Sequence, residues 1–356
     1  PDAVSFLRKR EKQGVFSMAK EFSSGISNFI AGVLVGILIA AFGFAWMVRS
    51  GQELSGGVRP RVLRLGHGLP VEHPVHKAME FMARRVKELS DGKLEIAIYP
   101  AGMIGSEAEC LKQTQNGQLD LSKTSTAVLE SSVPEMTAFS MPYLFRDKDH
   151  FWKVLDGPLG QKIAELPGGM RGLTYFDSGE RSFYTTKKAI RNPDDLKGMK
   201  IRTQQSRCAM DMVSALGGAP TPIPWGELYT ALSQGTVDGA ENNLPSFDTG
   251  RHLEVCKNFT LSEHARVPDM LVIGNAAWDQ LNDQQRKWLK EAAHEASLYQ
   301  RKLWEEAEKE SRRRAEEAGV RFYSVDKAAF AKKLRPLYGR QPRAVKQLIR
   351  EIQEVK

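Results

Sequence analysis

The sequence is poor in cysteine, with only three among 356 residues. Cys110, Cys208 and Cys256 lie far apart, and none belongs to a CxxC pair or to a zinc-type spacing. Three such thiols are too few for a disulfide framework. We therefore predict that Cys110 and Cys208 are buried thiols rather than nucleophiles, while the pairing of Cys208 with Cys256 stays open.

Motifs of the common catalytic and nucleotide-binding sites are also missing. The chain has no GxGxxG, no P-loop, no HExxH and no GxSxG. His67, His73 and His76 lie close together, but no second pair of residues at a metal-binding spacing accompanies them. We therefore predict no catalytic residue, no metal site and no cofactor. An exported α/β enzyme is therefore the function that the sequence supports least.

The excess of basic charge is confined to the two ends of the chain. The net charge is +8, yet residues 51–326 hold 36 basic and 38 acidic side chains. Residues 327–356 hold nine basic and two acidic side chains, which we expect to form a solvated helix face. A nearly neutral body lacks the basic face that nucleic acid requires, so we predict no nucleic-acid partner.

One long apolar run is present, FIAGVLVGILIAAFGFAWMV at residues 29–48. Twenty helical residues rise about 30 Å, which is enough to cross the hydrocarbon core of a bilayer. Basic residues precede the run, so residues 1–28 are predicted to stay in the cytoplasm and the rest to be exported. We predict a retained transmembrane signal anchor and a linker at residues 49–60, with a cleaved signal peptide as the alternative.

The exported part begins with a β-α-β-α-β series. Short apolar runs predict strands at residues 62–66 and 94–99 and a third strand from Leu119, and helical periods predict helices at 74–89 and from Ser106. The helix from Ser106 begins with a capping box. Such a series is typical of an α/β protein with a mostly parallel sheet.

A second α/β series begins near Gly179, so we predict two similar halves. From Asp283 to Ala318 the chain has neither proline nor glycine, and apolar residues recur at helical spacing. A helix of that length is about 54 Å long, and we expect it to lie across both halves. The predicted ligand-binding domains are residues 61–178 with 266–300, and residues 179–265 with 301–356.

Polar side chains stand at the ends of predicted strands in the second half. Arg181 begins one strand and Arg202 ends another, and Asn242 follows a third. In open α/β sheets, ligands bind beyond the carboxyl ends of the strands. An arginine can hold a carboxylate through two parallel N–H donors, although a surface salt bridge is the alternative for each arginine alone. Trp225 follows Pro222-Ile-Pro224 and could stack on a sugar or fill core.

These segments together resemble the solute-binding proteins of tripartite ATP-independent periplasmic (TRAP) transporters, of the dicarboxylate-binding-protein type. The resemblance covers roughly residues 62–325. Each phrase is loose alone, but the five in this order are highly specific. They are YPAGMIGSEAECLKQTQNGQLDL, FSMPYLFRD, DDLKGMKIRT, PTPIPWGELYTALSQGTVDGAENN, and LSEHARVPDMLVI followed by the long helix.

The resemblance implies a two-domain, periplasmic-binding-protein-like clamp that closes on an organic acid. The family arginine that grips the ligand carboxylate corresponds to Arg202, and a second family arginine corresponds to Arg181. The polar ligand of the DGxEN phrase corresponds to Asn242, and the aromatic side chain over the ligand corresponds to Trp225. First-domain contacts are implied for Lys123, Ser125, Glu107 and His67.

The DGAENN phrase of this sequence resembles that of the hexuronate-binding subgroup of the family. Two ligand classes nevertheless stay open. A C4-dicarboxylate needs a second cation, which Lys123 could supply. A hexuronate needs hydroxyl partners, and Glu241 and Glu107 would accept from a hydroxyl but repel a second carboxylate. We therefore favour a hexuronate over a C4-dicarboxylate.

The resemblance also implies partners and a location. The membrane permease subunits of a TRAP transporter would receive the bound acid. The protein would lie in the periplasm, attached to the inner membrane through residues 29–48 or free if the signal is cleaved. A membrane-anchored ligand sensor that uses the same clamp is a further alternative.

Overall fold

The computed structural model describes residues 36, 40–43 and 60–356. Among these residues, no helix is both long enough and apolar enough to cross a membrane. The predicted basic segment 1–28, the linker residues 49–59 and most of the predicted anchor 29–48 lie outside the described residues. The description below concerns the unit Pro60–Lys356.

The strands are numbered in chain order. They are β1 Arg61–Gly66, β2 Leu94–Tyr99, β3 Leu121–Ser125, β4 Met170–Phe176, β5 Arg181–Thr185, β6 Lys200–Thr203, β7 Ala219–Pro222, β8 Gly239–Asn242, β9 Asn258–Ala265, β10 Asp269–Gly274 and β11 Arg321–Ser324. The predicted strands agree with these bounds to within one or two residues.

The α-helices are numbered in the same way. They are α1 Pro74–Leu89, α2 Glu107–Gln115, α3 Thr126–Leu129, α4 Lys148–Asp156, α5 Pro158–Ala164, α6 Arg207–Ala215, α7 Trp225–Ser233, α8 Leu244–Thr249, α9 Asn275–Asp279, α10 Asp283–Glu317, α11 Lys327–Leu334, α12 Pro336–Arg340 and α13 Arg343–Glu354. Short 3-10 helices lie at Pro134–Ser140, Pro193–Leu196 and His252–Glu254.

Local sequence signals account for where the helices begin. Ser106 and Glu109 form the predicted capping box of α2, with both reciprocal hydrogen bonds present. Asn282 and Gln285 form the equivalent box at the start of α10. Each box satisfies two backbone N–H groups that the first helical turn leaves free, so these helices are fixed at their first residue.

Within residues 60–356 the strands form two mixed sheets. The first has the order β2-β1-β3-β10-β4 and the second the order β11-β9-β5-β8-β6-β7. The prediction of mostly parallel sheets is confirmed, except that each sheet contains one reversed strand: β10 is antiparallel to β3 and β4, and β5 is antiparallel to β8 and β9. The chain enters β5 and β10 directly from the other sheet, without the crossover helix that a parallel neighbour requires.

Helix α10 spans both sheets, as the sequence predicted. Its 35 residues extend about 52 Å. Its first half packs on α1 and β4, and its second half packs on α8. Asp248 of α8 accepts hydrogen bonds from Ser311 and Arg314 of α10, at 2.8 and 2.6 Å.

The segments that cross between the sheets are tied to the middle of α10. The Gln300 side chain accepts from the backbone N–H of Asp177 and donates to the Asp177 carbonyl, both at 2.8 Å. Arg266, in the other crossing segment, donates to Asp177 Oδ1 at 3.1 Å. These bonds set the relative position of the two sheets, and therefore of the walls of the cleft between them.

All three cysteines are unpaired and buried. Burial raises the pKa of Cys110 to about 11, and the pKa of Cys208 is also raised. The prediction of buried thiols is therefore confirmed for both, because a thiol that resists ionisation is a poor nucleophile. Cys256 does not pair with Cys208.

Candidate functional site

A polar cavity lies between the two sheets, at the edge where β3, β6 and β8 end. The cavity is lined by residues next to the first sheet, by residues of the two crossing segments and by residues next to the second sheet. They are Gly68, Leu69, Glu107, Lys123, Ser125, Asp269, Ser178, Val267, Arg181, Arg202, Gln204, Trp225, Asn242, Asn243 and Ser246. Seven of the nine predicted site residues are among them, and His67 and Glu241 are not.

Arg202 presents unused hydrogen-bond donors. It is the third residue of β6, and only 3% of it is exposed. Its Nε donates to the Ile223 carbonyl at 2.8 Å, which holds the guanidinium in one orientation. Its Nη1 is buried and has no hydrogen-bond partner among the described residues. Burial lowers the pKa of Arg202, but a guanidinium stays charged, so an unpaired cation faces the cavity.

Arg181 is buried too, but its donors are engaged. Nε and Nη2 donate to the two oxygens of the Glu241 carboxylate at 2.5 and 2.8 Å, and Nη1 donates to Asn242 Oδ1 at 2.8 Å. Burial lowers the pKa of Arg181, but Glu241 outweighs this effect and raises it. Arg181 and Glu241 therefore form a neutral pair.

Glu241 lies behind the cavity wall. Burial alone would raise the pKa of its carboxyl, but Arg181 and the neighbouring His264 ring, whose Nε2 lies 3.5 Å from Oε2, outweigh burial and lower the pKa to about 2. Its carboxylate is 1% exposed and is engaged by Arg181. The structure therefore places Glu241 as the partner of Arg181 rather than at the ligand hydroxyls, where the sequence analysis placed it.

Asn242 links this pair to the cavity. Its Oδ1 accepts from Arg181 Nη1 and from the backbone N–H of Asn243, the latter at 2.9 Å. Since the oxygen is occupied, the Nδ2 amide of Asn242 is the group left to donate to a ligand. Asn243 in turn caps α8 by accepting from the Ser246 N–H at 2.8 Å.

Lys123 is surrounded by acidic groups. Its ammonium lies 3.1 Å from Glu107 Oε1 and 3.0 Å from Asp269 Oδ2, and we call these three residues the Lys123 cluster. Burial lowers the pKa of Lys123, but Asp269 and Glu107 outweigh burial and raise it. Burial raises the pKa of the Asp269 carboxyl, which Lys123 opposes and Glu107 reinforces. The ammonium is therefore charged and already neutralised.

Ser125 is held in place by the same cluster. Its backbone N–H donates to Glu107 Oε1 at 2.7 Å, and its own hydroxyl accepts from the Ala127 N–H as the cap of α3. Ser125 is also paired with Asp269 in the antiparallel register of β3 and β10. Ser125 thus lines the cavity beside two carboxylates.

Trp225 supplies the aromatic part of the wall. It is the first residue of α7, after Pro224, and it is half-buried. Its ring packs over Gly250 so closely that a Cβ there would lie 2.8 Å from two ring carbons. A Cβ at Gly68 would make only an ordinary contact of 4.0 Å with the indole, so Gly250 is the glycine that leaves room for the ring.

His67 supports the cavity loop from behind. Its Nδ1 accepts from the Leu69 N–H at 3.1 Å, and its Nε2 lies 3.0 Å from His76 Nδ1. Burial, followed by Lys123 and His76, lowers the pKa of His67 to about 3, so the ring is neutral. His67 therefore positions the Gly68-Leu69 turn and does not line the cavity.

Sequence reasoning missed Asp269, Gln204, Asn243 and Ser246. The position of Asp269 depends on β10 entering the first sheet antiparallel, which the predicted parallel order did not include. Ser246 reaches across the cleft to His73, whose Nε2 lies 3.2 Å from the serine hydroxyl. An Asn-rich turn before α8 was the visible signal for Asn243, because asparagine is a preferred helix cap.

Comparison with known proteins decides the family. The model of the bacterial extracellular solute-binding proteins of family 7 matches residues 65–343. The chain belongs to family 7 of the bacterial extracellular solute-binding proteins. The family predicted from the sequence is confirmed, and with it a binding rather than an enzymatic role.

Several solute-binding proteins are similar over most of this chain. A solute-binding protein of Chromohalobacter salexigens is 34% identical, over 76% of this chain and 81% of its own length. A TRAP periplasmic solute-binding protein of Xanthobacter autotrophicus, solved with bound β-D-galacturonate, is 38% identical with a TM-score of 0.80. One from Chromohalobacter salexigens, solved with D-glucuronate, is 32% identical with a TM-score of 0.80. Each structure covers 83% of this chain and all of its own.

This family 7 chain has the α/β two-domain fold of periplasmic binding proteins, with α10 spanning both domains. The predicted fold class is thereby confirmed for the exported part. The predicted transmembrane segment that precedes it falls mainly on residues outside the described part of the chain.

Proposed function

We propose that this protein captures a hexuronate, such as galacturonate or glucuronate, in the periplasm and delivers it to the permease subunits of a TRAP-type secondary transporter. Family 7 membership supports the binding role. The relatives solved with galacturonate and glucuronate support the ligand class.

The observation that carries this proposal is the different state of the two candidate cations. Arg202 has a buried guanidinium nitrogen without a hydrogen-bond partner among residues 60–356. Lys123 is already in contact with two carboxylates. A ligand carboxylate therefore has one cation to bind, which fits a monoacid such as a hexuronate.

The remaining lining residues fit the rest of a sugar acid. Glu107 and Asp269 can accept hydrogen bonds from ring hydroxyls, and Asn242 can donate to a ring or hydroxyl oxygen. Trp225 offers a flat apolar surface to one face of the ring. Arg181 has a supporting role, because it fixes Asn242 and holds Glu241.

Competition calorimetry with the purified binding unit tests the ligand class. Galacturonate, glucuronate, succinate and malate would be titrated separately and in competition. We expect a uronate to bind and to be displaced only weakly by either dicarboxylate. Displacement by succinate or malate at lower concentration than by the uronates would show instead a C4-dicarboxylate binder.

We further propose that residues 29–48 anchor the protein in the inner membrane, and that the domains are residues 61–178 with 266–300 and residues 179–265 with 301–356. The uncharged run and the basic residues before it support the anchor. Membrane fractionation and N-terminal sequencing of the exported protein test it. A mature N-terminus near Trp46 would show a cleaved signal and contradict the anchor.

A further inference from the structure

We propose that the Lys123 cluster excludes diacids from the cavity, because its two carboxylates, Glu107 and Asp269, outnumber its single ammonium. The two ligand types it would separate are a hexuronate and the corresponding aldarate, which carries a carboxylate at both ends. The inference rests on the proposed function, because it takes a hexuronate carboxylate to be held at Arg202.

The backbone places the three charged groups at one edge of the first sheet. Asp269 opens β10 opposite Ser125, the last residue of β3. Lys123 lies two residues before Ser125, so both side chains point to the same face of the sheet. Glu107 is the first residue of α2 and reaches this face from the side. All four residues line the cavity.

The cluster has more carboxylate than it needs to neutralise Lys123. Glu107 contacts the ammonium through Oε1, at 3.1 Å, and the same oxygen accepts from the Ser125 N–H. Asp269 adds a second carboxylate at 3.0 Å from the same ammonium. One positive and two negative groups leave a surplus of one negative charge on the wall of the cavity.

This surplus separates hydroxyls from carboxylates. Glu107 Oε2 and Asp269 Oδ1 receive no hydrogen bond from the part of the chain that the structure describes. A carboxylate oxygen only accepts, so a ligand hydroxyl can pair with it and a ligand carboxylate cannot.

Burial makes the repulsion effective. Exposed fractions are 5% for the Lys123 side chain, 18% for Glu107 and 10% for Asp269. Charges at such positions are screened much less than surface charges. A repulsive element built against the wrong ligand is a general route to specificity.

The test is a charge series measured with two ligands. Wild type, Asp269→Asn, Glu107→Gln and the double variant would be titrated with galacturonate and galactarate at about pH 8. Asp211→Asn is the matched control, because it removes one negative charge from an exposed helix pair with Arg207. Galacturonate binding by wild type is the separate check on the proposed function.

We expect wild type to prefer galacturonate over galactarate by about 100-fold or more. Each single substitution should reduce that ratio roughly tenfold, and the double variant, with a net positive cluster, should bring it to about one or below. Asp211→Asn should leave it unchanged. A ratio unchanged in both single variants that still bind galacturonate would overturn the inference. So would equal binding of both acids by wild type, although the hexuronate function would then stand.

Discussion

The two sides of the cavity treat a buried cation in opposite ways. On the second-sheet side, Arg202 is fixed by the Ile223 carbonyl and has a buried guanidinium nitrogen without a partner among the described residues. On the first-sheet side, Lys123 contacts two carboxylates. If the proposed ligand binds here, this difference should orient it, with its acid end at Arg202 and its hydroxyl end at the Lys123 cluster.

The difference also has an energetic consequence. A buried charge without a partner destabilises the folded protein. A buried charge that already contacts opposite charges of the protein needs no ligand to neutralise it. Arg202 therefore gains its partner only when an acid binds. An acid bound at this position should therefore also stabilise the folded protein, so affinity and stability are linked there.

Removing Arg202 is the change with the largest expected effect on binding. Arg202→Ala should weaken hexuronate binding by about 2–5 kcal/mol, which is roughly 30-fold to several thousand-fold in Kd. Arg202→Lys should not restore affinity, because an ammonium cannot present two parallel donors. Calorimetric Kd values provide the measurement.

Arg207→Ala is the control for Arg202, because Arg207 is exposed and its one ion pair within residues 60–356 is with Asp211 on its own helix. It should bind the ligand as wild type does. If Arg202→Ala keeps its affinity within a few-fold of wild type, the contrast between the two cations has no role in binding.

The Arg181–Glu241 pair should contribute to stability where Arg202 does not. Arg181→Met leaves Glu241 buried without its main partner, which should cost about 3–5 kcal/mol of unfolding free energy. The double variant Arg181→Met/Glu241→Leu should recover most of that loss. Urea denaturation without ligand measures the unfolding free energy of both variants. An equal loss of unfolding free energy in Arg202→Met would contradict the different roles assigned to the two arginines.

Buried neutral histidines on both sides of the cavity should make the protein acid-sensitive. Burial lowers the pKa of His67 and of His252 to about 3, from about 6.5 in the unfolded chain. Between these values the unfolded chain binds more protons, so stability falls as the pH drops from about 6.5 towards 3. Glu241, with its pKa lowered to about 2, extends the loss below about pH 4.5.

Denaturant midpoints at several pH values check this prediction. We expect a loss on the order of a few kcal/mol between about pH 6.5 and 4. His67→Asn keeps an acceptor for the Leu69 N–H and should flatten part of the curve. A wild-type stability that is constant across this range would contradict neutral burial of these rings.

Displacing the Trp225 ring should give the smallest effect. A Cβ at Gly250 would lie 2.8 Å from the indole and from the Ser246 carbonyl oxygen, while the backbone φ of −79° suits alanine. Gly250→Ala should therefore shift the ring and weaken hexuronate binding by about 1 kcal/mol, roughly fivefold. Gly226→Ala, next to Trp225 but facing open space, is the control and should bind normally.

Local signals in the sequence were enough for most elements of the fold. The capping box at Ser106 and the uninterrupted helix from Asp283 depend only on residues near them in the chain, and both were predicted. The position of Arg202 near the end of a strand was also predicted, where ligands gather in α/β sheets. Lys123, which lies in the middle of β3, was identified only through the family resemblance.

Contacts between distant segments could not be predicted in this way. Glu241 was assigned to ligand hydroxyls, but its partner Arg181 is 60 residues away and reaches it only in the folded sheet. Asp269 was missed because the direction of β10 depends on the chain entering from the other sheet. Whether a charge is free or neutralised therefore depends on tertiary contacts, even where the sequence identifies the charged residue.

A crystal structure of the protein with bound galacturonate tests the central claim most directly. The account predicts the ligand carboxylate within hydrogen-bond distance of the Arg202 Nη atoms, and ring hydroxyls within the same distance of Glu107 or Asp269. A carboxylate bound at Lys123, with Arg202 still unpaired, would contradict it.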